Sequence, residues 1–90
     1  MASYSIFIKP SAVKELESLP RKDRLRIVEK IQGLAANPRP VACEKLSGLE
    51  QYRLRQGRYR IVYSISDKER SVVVVKIAHR REAHRREAYR

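Results

Sequence analysis

The chain has 90 residues, of which 21 are Lys or Arg and 10 are Asp or Glu, so its formal net charge is +11. This length predicts a single domain over residues 1–90, and the one cysteine excludes an internal disulfide and a cysteine-rich metal site. No apolar run approaches the ~20 residues of a spanning helix, and no signal-like segment is present, which favours a reducing cytoplasm.

The N-terminal half predicts one strand followed by two helices. Residues 4–9 (YSIFIK) alternate and precede Pro10, which indicates a short strand. Ser11 is placed to cap the next helix, which Pro20 ends. A second helix over 22–36 stops at the sequence NPRP. Its predicted apolar stripe consists of Leu25, Val28, Ile31, Leu34 and Ala35.

The C-terminal half predicts three strands after a connector at 41–50. Residues 52–66 (YRLRQGRYRIVYSIS) alternate basic and apolar side chains in two runs broken at Gln56-Gly57, which indicates a β-hairpin. Residues 71–78 (SVVVVKIA) are apolar on both faces over most of their length and predict a central strand. The predicted fold is α+β, with a helical hairpin on one face of a small twisted antiparallel sheet, in the order β-α-α-β-β-β.

The predicted hairpin separates its basic side chains from its apolar ones. Arg53 and Arg55 share one face, and Arg58 and Arg60 continue it after the turn, while the tyrosines and isoleucines face the core. Guanidinium groups match phosphate oxygens in pairs and stay charged at any working pH. This face therefore predicts a polyanionic partner, either RNA, DNA or an acidic protein.

The C-terminal residues contain a tandem repeat. The pentapeptide HRREA occupies residues 79–83 and again 84–88, followed by Tyr89-Arg90. The segment is predicted to be a short helix or tail. Five steps along an α-helix rotate by about 140° past a full turn, so the two copies cannot present the same face to one site.

Together these motifs resemble the RelE/ParE superfamily of toxins from bacterial type II toxin–antitoxin pairs. The resemblance rests on KLSGL at 45–49, YRIVY at 59–63 and HRREAYR at 84–90, in this order. RelE-type members are ribosome-dependent endoribonucleases that cleave mRNA, and ParE-type members poison DNA gyrase. The resemblance implies a RelE-like, metal-independent mRNA interferase that uses no cofactor.

The resemblance also assigns site residues by motif. The catalytic residues it implies are Arg53, Arg55, Arg60, Arg80 and Tyr89. The residues expected to bind RNA around them are Lys45, Arg58, His79, His84 and Arg85. Two departures from the family pattern are the arginines at 53 and 55, which are often lysines, and the duplicated HRREA ending.

Metal-free cleavage needs a base, cations beside the phosphoryl oxygens and an acid. The arginines can supply the cations beside the phosphoryl oxygens. Tyr89 is a candidate base, because neighbouring arginines should lower its pKa. Arginine is a poor acid, so His79 or His84 is better suited to protonate the leaving oxygen.

The implied partners are a RelB-like antitoxin, the ribosome and mRNA, and operator DNA bound by the toxin–antitoxin complex. Two alternatives remain open: a ParE-like gyrase poison without enzymatic activity, and an inactive nucleic-acid-binding member of the family. A membrane surface is disfavoured, because no long helix with one basic and one apolar face stands out.

Overall fold

Two helices and five strands lie within residues 3–46 and 50–79, which the computed structural model describes. In chain order they are β1 (Ser5–Ile8), α1 (Pro10–Glu17), α2 (Arg21–Gly33), β2 (Glu44–Lys45), β3 (Gln51–Gln56), β4 (Tyr59–Ser66) and β5 (Ser71–His79). The predicted α+β class and element order are confirmed. The connector contributes the short strand β2, which the sequence pattern did not indicate.

The sheet was predicted to be antiparallel, but its five strands form one mixed sheet in the order β1-β5-β4-β3-β2. Strands β2 to β5 form an antiparallel meander, and β1 pairs in parallel with β5, with Ile6 opposite Val72. The helical hairpin carries the chain away from β1, so no tight turn forces that strand to run antiparallel to its neighbour. As predicted, β5 lies inside the sheet.

The helices begin and end at positions that differ slightly from the predicted ones. Lys9 is the N-cap of α1, and Pro10 occupies its first turn, where a missing N–H costs nothing. Ser11 is therefore not the cap. The second helix ends at Gly33, since residues 34–36 already form the turn that leads to the NPRP segment.

The hydrophobic core lies between the two helices and one face of the sheet. The helices contribute Ala12, Leu16, Ile27, Ile31 and Leu34. The sheet contributes Tyr52, Leu54, Ile61, Tyr63, Ile65, Val72, Val74 and Ile77. The predicted stripe of α2 was wrong at Leu25, whose relative exposure is 56%, because Ile27 lies on the face that shares the spacing of Ile31 and Leu34.

The NPRP segment is held against the end of the sheet. The hydroxyl of Tyr63, which stacks on Tyr52 with ring centroids 5.8 Å apart, donates a hydrogen bond of 2.9 Å to the carbonyl of Pro38. The guanidinium of Arg39 binds both carboxylate oxygens of Asp67, at 3.0 and 2.9 Å. These contacts fix the connection between α2 and β2 over the turn between β4 and β5.

Candidate nucleic-acid interface

The strand register places three arginines on the sheet face opposite the two described helices. Arg55 lies directly opposite Arg60, and Arg53 lies opposite Val62. Tyr52 and Leu54, which alternate with the β3 arginines, are buried in the core on the other side. We call this surface, which bears Arg53, Arg55 and Arg60, the arginine face.

The three arginines differ in their exposure. Arg55 is exposed, the side chain of Arg53 is 16% exposed, and Arg60 is 2% exposed. The strand alternation predicted an exposed surface, so the burial of Arg60 is a correction. Arg60 lies on β4, which has strands on both sides, and its neighbours Val62 and Ala78 on this face are buried as well.

The facing pair Arg55 and Arg60 concentrates positive charge. They form the second cross-strand pair from the hairpin turn, and directly opposed Cβ atoms in such a pair lie about 4.5–5.5 Å apart. Like charges directly opposite each other on a sheet are destabilising. An anion bound at this pair would reduce that repulsion, so the pair is a candidate phosphate-binding site.

Glu44 is a site residue that the sequence analysis missed. It lies opposite Arg53 on the edge strand β2, with its Oε1 atom 3.6 Å from Nη2 of Arg53. The arginine face thus carries a carboxylate at its rim. The signal that could have revealed it is weak, because a two-residue strand has no periodicity to detect.

Arg58 lies in the hairpin turn and not on a strand. Gln56 pairs with Tyr59, so Gly57 and Arg58 form a two-residue loop. Gly57 has φ of 60°, a conformation that suits glycine and is typical of the first loop position of a type II′ turn. The exposed Arg58 is therefore at the tip of the hairpin, beside the arginine face.

The structure does not bring Lys45 and His79 together with the arginines. Lys45 is opposite Tyr52 on the helix side of the sheet, 3.6 Å from Glu50. His79 is opposite Tyr59 on the same side, and the two rings meet edge to face with centroids 5.6 Å apart. The RNA-binding roles predicted for both remain predictions.

Several predicted residues lie outside the described ranges. They are Arg80, His84, Arg85 and Tyr89, together with the tandem pentapeptide and the predicted C-terminal helix or tail. Residues 47–49 of the KLSGL motif are also outside.

Metal ligands and membrane spans can be assessed for the part of the chain that the structure describes. Within residues 3–46 and 50–79, no three His, Cys, Asp or Glu side chains are grouped so that they could hold a metal ion. Neither helix of this region has the length and apolar character needed to cross a bilayer.

A helical hairpin on one face of a small mixed sheet and arginines on the other agree with the expected small basic toxin of a toxin–antitoxin pair, and comparison with known proteins establishes that class. The family model described as "ParE toxin of type II toxin-antitoxin system, parDE" matches residues 6–84. The chain belongs to the RelE/ParE superfamily of toxins.

The relatives are RelE toxins. Toxin RelE of Mycobacterium tuberculosis is 34% identical over 79 residues, which cover 86% of this chain and 81% of that protein. The structure is similar to archaeal RelE in the RelE–RelB complex of Pyrococcus horikoshii, with 32% identity, a TM-score of 0.78 and coverage of 86% of this chain and 94% of that one. It is also similar to a chain of the intact RelBE toxin–antitoxin complex of E. coli, with 29% identity, a TM-score of 0.73 and coverage of 84% of this chain and 95% of that one.

Proposed function

We propose that this RelE-like toxin is a metal-independent endoribonuclease that cleaves mRNA on the ribosome and so inhibits translation. The observation that carries the proposal is the opposed pair of Arg55 and Arg60, with Arg53 on the same face. Fixed cations on a rigid sheet can stabilise the charge that builds on phosphoryl oxygens during cleavage. The net charge of +11 adds a general attraction for RNA.

The three arginines have different parts in the proposed reaction. Arg55 is exposed and meets the phosphate first, while the half-buried Arg53 contacts it from the neighbouring position on β3. Arg60 is buried, so its charge is held in place with little freedom to move. By resemblance to the family, Arg80 and Tyr89 complete the site. Of the two histidines considered as the acid, His84 is the one we propose to supply the proton for the leaving oxygen, because His79 lies against Tyr59 on the helix side of the sheet.

The proposed activity is tested by mapping message ends after induced expression of the toxin. Wild type should produce new 5′ ends within codons of ribosome-bound mRNA, and Arg55→Ala and Arg60→Ala should lose them by on the order of 10²–10³-fold, as for other charge-stabilising donors that are removed. Arg26→Ala is the matched control, because Arg26 is an exposed arginine on α2. Growth arrest with an uncut message pool would rule the activity out.

The proposed partner is a RelB-like antitoxin in the cytoplasm. The relatives from Pyrococcus horikoshii and E. coli were each solved together with RelB, which supports this assignment. A chain of charge +11 favours an acidic partner segment. The toxin–antitoxin complex is proposed to bind operator DNA, and no membrane is involved.

A second candidate function is poisoning of DNA gyrase without catalysis. It is favoured by the family model, whose description names ParE toxins. Purified toxin would then inhibit supercoiling by gyrase and leave message ends unchanged. Testing the same preparation in both assays separates the two functions, since each predicts one positive and one negative result.

A further inference from the structure

Glu44 occupies an unusual place for an acidic residue in a chain so rich in arginine. Cross-strand neighbours share a face of the sheet, so Glu44 lies on the same side as Arg53. Its side chain is 55% exposed, which leaves it open to a bound substrate. The separation of 3.6 Å between Glu44 Oε1 and Arg53 Nη2 exceeds the 2.7–2.9 Å typical of a tight charged hydrogen bond. The carboxylate is therefore not engaged in a tight hydrogen bond with Arg53 and can accept a proton.

The proposed cleavage reaction needs a proton acceptor beside the phosphate. On the described part of the arginine face, the charged groups that face Glu44 from β3 are the guanidiniums of Arg53 and, diagonally, Arg55. Guanidiniums stay protonated in proteins and cannot accept a proton. An ionised carboxylate has only acceptor oxygens and can take up a proton.

We propose that Glu44 is the catalytic base of the cleavage reaction. The inference rests on the proposed ribonuclease function and names a base for that same site. A phosphate bound to Arg53 brings the 2′-hydroxyl of the preceding ribose next to the Glu44 carboxylate. This assignment gives Glu44 the role that the family resemblance suggests for Tyr89.

In the proposed step, the 2′-oxygen forms a bond to phosphorus while its proton passes to the Glu44 carboxylate. The bond from phosphorus to the 5′-oxygen breaks, and that oxygen takes a proton from an acid or from water. The products are a 2′,3′-cyclic phosphate and a 5′-hydroxyl, and Glu44 then releases its proton to solvent.

The chain offers a matched control for this residue. Glu50 also forms an exposed ion pair of 3.6 Å, with Lys45. Lys45, however, lies opposite Tyr52 on the helix side of the sheet. Glu50→Gln therefore changes the net charge by the same amount as Glu44→Gln without removing a carboxylate from the arginine face.

The experiment measures single-turnover cleavage of ribosome-bound message by wild type, Glu44→Gln, Glu44→Asp, Glu50→Gln and Tyr89→Phe. Glu44→Gln should slow cleavage by on the order of 10²–10⁴-fold, the usual contribution of a general base. Glu44→Asp should recover part of the rate, and Glu50→Gln should match wild type. Tyr89→Phe should lose less than Glu44→Gln.

Binding is measured in parallel with a message that carries a 2′-O-methyl nucleotide at the cleavage position and so cannot be cut. Glu44→Gln should bind it at least as well as wild type, because a negative charge beside the phosphate has been removed. Thermal unfolding confirms that the variant is folded, since loss of an exposed ion pair changes stability little.

Three outcomes would overturn the proposal. Cleavage by Glu44→Gln within threefold of wild type would show that Glu44 takes no proton. Binding that falls in proportion to the cleavage rate would mean that Glu44 only orients Arg53. A wild-type toxin that cuts no message would refute the ribonuclease function itself, and that result is distinguishable because it precedes any comparison of variants.

Discussion

Oε1 of Glu15 accepts a hydrogen bond of 3.0 Å from the backbone N–H of Ile77. Strand β1 pairs with β5 only as far as Val74, because Pro10 begins α1 soon afterwards. Glu15, on α1, therefore satisfies a strand N–H beyond the point where β1 has ended. Its Oε2 atom also forms an ion pair with Nζ of Lys76. One carboxylate thus joins α1 to the outer edge of β5.

Glu15→Ala should destabilise the fold by about 1–3 kcal/mol, the usual cost when a partly buried donor is deprived of a charged partner. Glu15→Gln should cost less, because its amide oxygen can still accept from the N–H of Ile77. Urea unfolding of the three proteins measures the differences in the free energy of unfolding. Glu17→Ala, an exposed change on the same helix, should be close to wild type. Equal stability of Glu15→Ala and Glu17→Ala would contradict this role.

Asp67 should make stability depend on pH in acid. Hydrogen bonds from Arg39, and a further one from the hydroxyl of Tyr4, lower the pKa of Asp67 from 3.8 to about 2. A depressed pKa stabilises the fold above the unfolded value, near 3.8, and this stabilisation is lost as pH falls toward 2. Asp67→Asn should unfold with a weaker pH dependence between pH 4 and 2. Thermal melts across this range measure it, with Glu69→Gln in the same turn as control.

Loss of the Tyr63 hydroxyl should lower the stability of the fold. Its ring is fully buried, and its hydroxyl donates to the carbonyl of Pro38. Tyr63→Phe should cost about 1–3 kcal/mol by leaving a buried carbonyl without this donor. Tyr59→Phe is the comparison, since Tyr59 is less buried and its hydroxyl donates to Asp23 over a longer 3.3 Å. A smaller loss for Tyr63→Phe than for Tyr59→Phe in urea unfolding would argue against the predicted role.

Burial, with a contribution from Cys43, also raises the pKa of Tyr63. Tyrosine absorbance should therefore rise with pH in two stages. Tyr63 should contribute only to the second stage, because it ionises when the protein unfolds. A titration of the folded protein that includes every tyrosine near pH 10 would contradict this expectation.

Arg55 should lower the stability of the fold while it strengthens the binding of RNA. Arg55→Gln relieves the repulsion between facing guanidiniums and should raise the free energy of unfolding by a few tenths to about 1 kcal/mol at low salt. The same variant should bind single-stranded RNA more weakly, and the slope of log affinity against log salt should fall by about 0.7 for each phosphate that is no longer neutralised. Arg26→Gln on α2 should leave both the slope and the stability near wild type. An unchanged salt slope in Arg55→Gln would show that Arg55 does not bind phosphate.

The hairpin and its two faces could be predicted because alternation is a local property of a strand. Arg53 and Arg55 share a face by their spacing on β3, and the hairpin register adds Arg60 to it. The burial of Arg60 depends on the strands packed on each side of β4, which no local pattern records. The same holds for the parallel pairing of β1 with β5, which joins segments more than 60 residues apart.

The buried face of α2 could not be predicted from residue spacing alone. Leu25 and Ile27 both fit an apolar stripe with Ile31 and Leu34 if only spacing is considered, and the angle at which α2 packs on the sheet decides between them. Glu44 was not predicted as a site residue, because its position beside Arg53 depends on pairing across the sheet and not on its neighbours in the chain.

The pairing of β1 with β5 has a consequence for when this toxin can complete its fold during synthesis. β1 is the first strand to be synthesised, and the described strand that pairs with it is β5, the last one. The sheet therefore cannot be completed before β5 has been translated. Contacts between such distant segments also slow the final step of folding. The nascent toxin therefore passes through an incompletely folded stage that lasts until β5 has been synthesised and paired with β1.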